Sequence, residues 1–231
     1  MPGLSRSLLI AGILALVVAL PALQFRYVYA HNKRLREVEP GKVYRSGQMT
    51  AEGFADAVKH LHIRTIINLQ DDHPDPDLDR CFFGGGTIKE SELCRQLGVR
   101  YIVIAPDLIS RLKTPEQRPA AIDQFLQVLD DPDVYPVLWH CRAGLNRTGV
   151  MTAVYRMEYN GWSPGAAIEE LKANGFGEWS STSANDYISQ YVLSFRRGIR
   201  CPRPALQNAV SDSSPAKSNN RQGITDSGPR Q

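Results

Sequence analysis

Three short apolar runs constrain this chain more than any other feature. The segments from Arg64 to Leu69 (RTIINL), Arg100 to Ala105 (RYIVIA) and Tyr135 to Trp139 (YPVLW) are too short for buried helices, and β-branched or aromatic residues dominate them. They read as buried strands. A further extended segment, Lys42–Arg45, follows Pro40 and Gly41. Helix signals lie between and after these runs. Thr50 caps a helix through His60, and a second helix runs near Ile88–Leu97 to a stop at Gly98. Thr114, Pro115 and Gln117 form a start signal, with Ile122, Phe125, Leu126 and Leu129 on one face behind it. Later helices are predicted over Arg147–Tyr159, from Ser163 and Pro164 to about Ala173, and from a capping box at Ser183–Asp186 to about Arg197. This alternation predicts an α/β fold: a small, mostly parallel sheet flanked by helices.

The 231 residues suffice for one domain with extensions, and 42% hydrophobic residues rule out global disorder. The extensions lie at the two ends. From Ser7 to Phe25 there is no charge. At ~1.5 Å per residue such a run nearly spans a ~30 Å hydrocarbon core, and it shows no polar face. Residues 1–30 therefore read as a membrane segment, either an anchor or a signal. Arg6 and the Val28-Tyr29-Ala30 triplet suit a cleaved signal. The length of the run and its aromatic exit (Phe25, Tyr27, Tyr29) favour a retained single-pass transmembrane helix. Arg26, Lys33, Arg34 and Arg36 outweigh Arg6, which places the body of the chain in the cytoplasm; export after cleavage is the alternative. Residues 31–39 read as a charged linker, 40–200 as the globular domain, and 201–231, poor in large apolar residues, as a disordered tail. The net charge of +3 is spread without a basic block, so no nucleic-acid partner is expected.

Chemistry concentrates behind the third apolar run, in His140-Cys141-Arg142-Ala143-Gly144-Leu145-Asn146-Arg147-Thr148-Gly149. A cysteine between a buried strand and a helix N-terminus meets oriented backbone N–H groups and the positive end of the helix dipole, both of which stabilise a thiolate. The five residues from Arg142 to Asn146 can curl so that successive N–H groups face one point, an anion nest, with Gly144 relieving the tightest bend. Arg147 adds a planar fork suited to two phosphate oxygens. Nucleophile and oxyanion cradle thus share one loop.

These residues match the H-C-x5-R-[S/T] signature, and the chain is identified by resemblance as a member of the cysteine-dependent protein tyrosine phosphatase superfamily. Within it, the body from about Pro40 to Phe195 resembles the small dual-specificity-like enzymes, and the Val43-Tyr44-Arg45-Ser46-Gly47-Gln48 opening resembles bacterial and fungal atypical members. The resemblance implies a dual-specificity phosphatase-like fold and a phosphoric monoester hydrolase. Cys141 would form a cysteinyl-phosphate. Arg147 and the backbone of Arg142, Ala143, Gly144, Leu145 and Asn146 would hold the phosphate oxygens. Thr148 would assist departure of the thiolate, and His140 would support the loop through hydrogen bonds and help depress the thiol pKa, without being a proton shuttle. No metal or other cofactor is implied. The family's general acid is an aspartate on a loop after a strand; Asp107, 34 positions before Cys141, matches, with Asp71 and Asp72 as a more distant alternative.

Arg142 is the one extra positive charge inside the loop, which favours phosphoproteins, phosphotyrosine first and phosphoserine or phosphothreonine second. An inositol phosphate or phosphoinositide substrate is the alternative, and a membrane-tethered phosphate-binding pseudophosphatase is the competing class. Simpler assignments cover the other candidates. Cys81 and Cys94 read as inert core cysteines. His60, His62 and His73 match no metal-site spacing, and Gly84–Gly86 lacks the lysine of a nucleotide loop. For Arg45, reach to the phosphate site is one reading and a surface ion pair the favoured one, and Trp162 and Trp179 read as packing residues.

Overall fold

The computed structural model describes residues 2–72, 88–104, 118–176 and 187–200. The predicted strands are present and form one five-stranded sheet. Its strands are β1 (Arg36–Glu39), β2 (Val43–Gly47), β3 (Thr65–Asn68), β4 (Arg100–Val103) and β5 (Val137–Cys141), in the order β1-β2-β5-β3-β4. All neighbours are parallel except β1 and β2. The helices are α1 (Pro2–Arg26), α2 (Ala51–Leu61), α3 (Glu90–Leu97), α4 (Ala120–Leu129), α5 (Asn146–Tyr159), α6 (Pro164–Ala173) and α7 (Tyr187–Ser194).

Period-two alternation sorts the sheet's side chains onto two buried faces. Val43, Ile67, Val137, Trp139 and Cys141 join one core with α4, α5 and α6. Tyr44, Ile66 and Leu138 join the other, with α2 and α3. Burial on both faces explains why these strands read as continuous apolar runs. Trp139, fully buried, stacks edge-on against Phe125 at 5.1 Å and donates from Nε1 to Thr152 Oγ1 at 3.1 Å. Two caps form as their sequences require: Thr50 Oγ1 accepts from Gly53 N (3.2 Å) and Ser163 Oγ from Ala166 N (3.2 Å).

Four expectations change. The third strand begins two residues later than predicted and runs on through Cys141. The helix expected from Thr114 starts at Ala120, with Pro119 extended at its N-cap; proline pushes the residue before it out of the helical region, so Arg118 stays outside the helix. Thr114 itself lies outside the described residues, as do Cys81, Ser183–Asp186, Trp179 and the segment 201–231. Trp162 is not a core residue: it is 37% exposed, beneath the Arg156 guanidinium at 4.6 Å.

The fourth change concerns residues 31–39, expected as a linker. They are built into the domain. Arg36–Glu39 pairs antiparallel with β2 as a charged edge strand that buries only Val38, a form that discourages further strand pairing. Tyr155 of α5 donates to Glu39, which holds that carboxyl below the usual range. Upstream, α1 is 25 residues long, and the span Arg6–Tyr29 is apolar and long enough to cross a membrane, with a mean hydropathy of 2.5. A single π-helical turn, Tyr27–His31, follows it. His31 then contacts Asp56 of α2 at 3.0 Å, and its carbonyl lies so close to Gly53 that a Cβ there would be 2.0 Å away.

Candidate active site

Sheet register brings the predicted site residues together. The last residue of β5, Cys141, sits beside Gly47, and His140 lies between Ser46 and Asn68. Because neighbours on a strand face opposite ways, Cys141 and His140 belong to different faces of the sheet. The chain then curls from Arg142 to Leu145 and enters α5 at Asn146. Gly144 adopts φ +72°, and a Cβ there would stand 2.6 Å from Gly47 N and 2.8 Å from the Ser46 carbonyl. Only glycine meets both demands.

The N-terminus of α5 has no side-chain cap and no acidic residue in its first turn. Its N–H groups and dipole are thereby left for an anion. Gln70, Asp71, Cys141, Arg142, Ala143, Asn146 and Arg147 line a cavity of about 310 Å³ at this point. That volume is at the small end for ligand pockets and matches a phosphoryl group with a compact carrier. Arg147 is braced from behind, Nη1 donating to Leu69 O at 3.2 Å. Thr148, fully buried, donates to Ser46 O at 3.4 Å.

Arg45 departs from its predicted place. It is 4% exposed, under the loop, with Nη2 donating to Gly144 O at 2.9 Å. Burial lowers its guanidinium to about 10, with Glu170 the largest opposing influence and Cys141 also raising it. It stays charged at neutral pH, a buried cation behind the nucleophile. A second basic residue, Arg34 from the segment before β1, donates from Nη1 to Ala143 O at 2.9 Å. Gly47 N donates to Lys33 O (2.7 Å) and Gln48 N to Arg142 O (3.1 Å), tying both segments to the loop. No sequence motif flagged Arg34; its role depends on where β1 pairs.

On the other face His140 is fully buried, its ring edge-on to Phe54 at 5.1 Å, with Nε2 2.6 Å from Glu90 Oε1. Glu90, at the start of α3, is 2% exposed. A neutral amide frame of Gln48, Asn68 and Gln70 surrounds it. Of these four, the sequence named Gln48 alone, and only as part of the Val43–Gln48 opening. Asp71, an alternative acid, reaches the cavity wall, while Asp72 is turned aside, accepting from Ser91 Oγ (2.7 Å) and Tyr101 (3.1 Å). Asp107 lies outside the described residues. Cys94 is buried, and burial pushes its thiol up, in keeping with an inert core cysteine.

Comparison with known proteins places this geometry. TpbA of Pseudomonas aeruginosa, a dual specificity protein phosphatase, is 29% identical over 137 residues, 59% of this chain and 52% of TpbA. The chain thus spans about half the length of that relative. Inositol diphosphatase DSP3 of Arabidopsis thaliana is 29% identical over 160 residues, 69% of this chain and 71% of its own. Among solved structures, the core catalytic domain of the PP-IP phosphatase SIW14 from S. cerevisiae shares the fold with a TM-score of 0.51 at 18% identity, covering 68% of this chain and 82% of that one. Residues 31–208 match the tyrosine phosphatase family, starting where His31 docks onto α2. With its signature loop seated between β5 and α5, the chain belongs to the tyrosine phosphatase family.

Proposed function

We propose that the chain hydrolyses phosphate monoesters, phosphotyrosine in proteins first and phosphoserine or phosphothreonine second, through a cysteinyl-phosphate. One observation carries this reading: Cys141 and Arg147 share the wall of one cavity at the uncapped N-terminus of α5. The Cys141 thiolate attacks phosphorus, the S–P bond forms, and the ester P–O bond breaks. Arg147 and the backbone N–H groups from Arg142 to Asn146 hold the oxygens on which charge accumulates. The departing oxygen takes a proton from Asp107, with Asp71 on the cavity wall as the second candidate. Water then attacks phosphorus, S–P breaks, and the Thr148 hydroxyl supports the returning thiolate. His140 holds the loop from the opposite face. The body of the chain works at the cytoplasmic side of a membrane that α1 crosses.

The test is hydrolysis of aryl phosphate and phosphotyrosine peptide by the full chain in detergent, with reductant and chelator. Turnover is expected and Cys141→Ser removes it; no turnover by a folded wild-type chain overturns the reading. Inositol phosphates form the second reading, supported by the relative named an inositol diphosphatase. A preference for them over phosphotyrosine peptide in the same assay would replace the first. The acid is assigned by leaving group: Asp107→Asn should slow phenyl phosphate about a hundredfold or more and nitrophenyl phosphate much less. The same pattern from Asp71→Asn would move the role there.

A further inference from the structure

A buried polar cluster surrounds Glu90, on the sheet face opposite Cys141. Its proton positions follow from geometry. The Asn68 side-chain oxygen accepts the backbone N–H of Gln70 at 2.8 Å. That bond cannot be reversed, so Asn68 Nδ2 must face Tyr101 (2.8 Å) and Glu90 Oε2 (3.4 Å) as a donor. Gln70 Nε2 donates to Gln48 Oε1, which leaves Gln48 Nε2 to donate to the same Glu90 oxygen at 3.0 Å. In this arrangement Glu90 Oε2 receives two amide N–H groups. Hydrogen bonds of this kind favour the ionised carboxylate. Its other oxygen faces His140 Nε2 at 2.6 Å. An ionised Glu90 at that distance is an acceptor, and its matching donor is the imidazole N–H.

We infer that Glu90 is a positioning residue that fixes His140 in its Nε2–H form and, through that ring, sets the charge beside the Cys141 thiolate. With Nε2–H pinned, the proton His140 gains and loses is on Nδ1, a fully buried atom with no hydrogen-bond partner among the described residues. When Nδ1 is protonated the imidazolium balances Glu90, and the positive ring is the member of the pair joined to Cys141. When it is bare, the Glu90 charge opposes the thiolate. Among the described residues, the other titratable groups facing this cluster are Cys94 on α3, Tyr101 on β4 and Asp72 after β3. α2 contributes the Phe54 ring against His140. Gln70 is in both the frame and the cavity wall, so the cluster meets the site at that residue too.

The inference rests on Cys141 being the proposed nucleophile, and its test reads the thiol and the ring directly. Long-range proton–nitrogen NMR on the full wild-type chain in detergent should show His140 protonated at Nε2; a bare Nε2 overturns the assignment whether or not any variant folds. In Glu90→Gln, alkylation of Cys141 by iodoacetamide should move to higher pH, falling about tenfold near pH 6, a loss of one pH unit's worth of thiolate. In a His140→Asn background the same substitution should no longer move it. An unmoved profile in Glu90→Gln, or a shift that persists without His140, overturns the inference. A chain that alkylates as expected but hydrolyses nothing counts against the hydrolase reading alone.

Discussion

Residues of the signature loop were legible because their chemistry is local; the residues that hold them were not. Cys141, Arg147 and Gly144 sit within a few positions of one another, and the strand–loop–helix context fixes their geometry. Arg45, Arg34 and Glu90 act across gaps of up to 109 positions, and only strand register reveals them. Two predictions belong at this scale. Arg45→Met removes a buried charged donor to Gly144 O; losing a hydrogen bond of about 1.5–3 kcal/mol should lower kcat/KM roughly tenfold to a hundredfold in a chain that still folds. Gly144→Ala places a methyl 2.6 Å from Gly47 N at a positive φ. The loop must shift, and tungstate, a phosphate mimic, should bind at least about tenfold more weakly by calorimetry.

At the level of elements, β-branched runs and Ser or Thr caps fixed the sheet and the starts of α2 and α6, because those signals act within one turn or one strand. Two elements were hidden by opposing signals. β1 is nearly all charge, so periodicity saw a linker where pairing with β2 made a strand. The start of α4 carried two prolines, and the second, Pro119, is at the true boundary. The centre of the sheet depends on Trp139, buried between Phe125 and Tyr155. Trp139→Ala should cost about 3–5 kcal/mol in chemical denaturation, from lost burial and the cavity left behind; a loss below about 1 kcal/mol would mean the sheet face collapses around the gap.

For the whole molecule, the two ends of the domain are secured by different means. At the C-terminal side, Arg200 pairs with Asp130 (3.0 Å) and Glu158 (2.6 Å). The Asp130 carboxyl is held below its usual range by Arg200 first and the Tyr159 hydroxyl second. A carboxyl lowered on folding contributes stability that is present above its unfolded value, about 3.9, and is lost as pH falls through the lowered one. Arg200→Ala should therefore lower Tm at pH 7 and leave it unchanged near pH 2. At the N-terminal side the chain from Arg26 to Arg34 has no slack. One helical turn separates α1 from His31, which is fastened to α2, and Arg34 already grips the loop around Cys141. If α1 crosses a bilayer, as proposed, such a stub would work as a depth stop. The catalytic mouth would stand at one fixed altitude, and the enzyme would choose substrates by how far their phosphate projects from the lipid surface as well as by what bears it. A long flexible leash would sweep a volume; a membrane-seated stub of this kind would confine the chemistry to a layer.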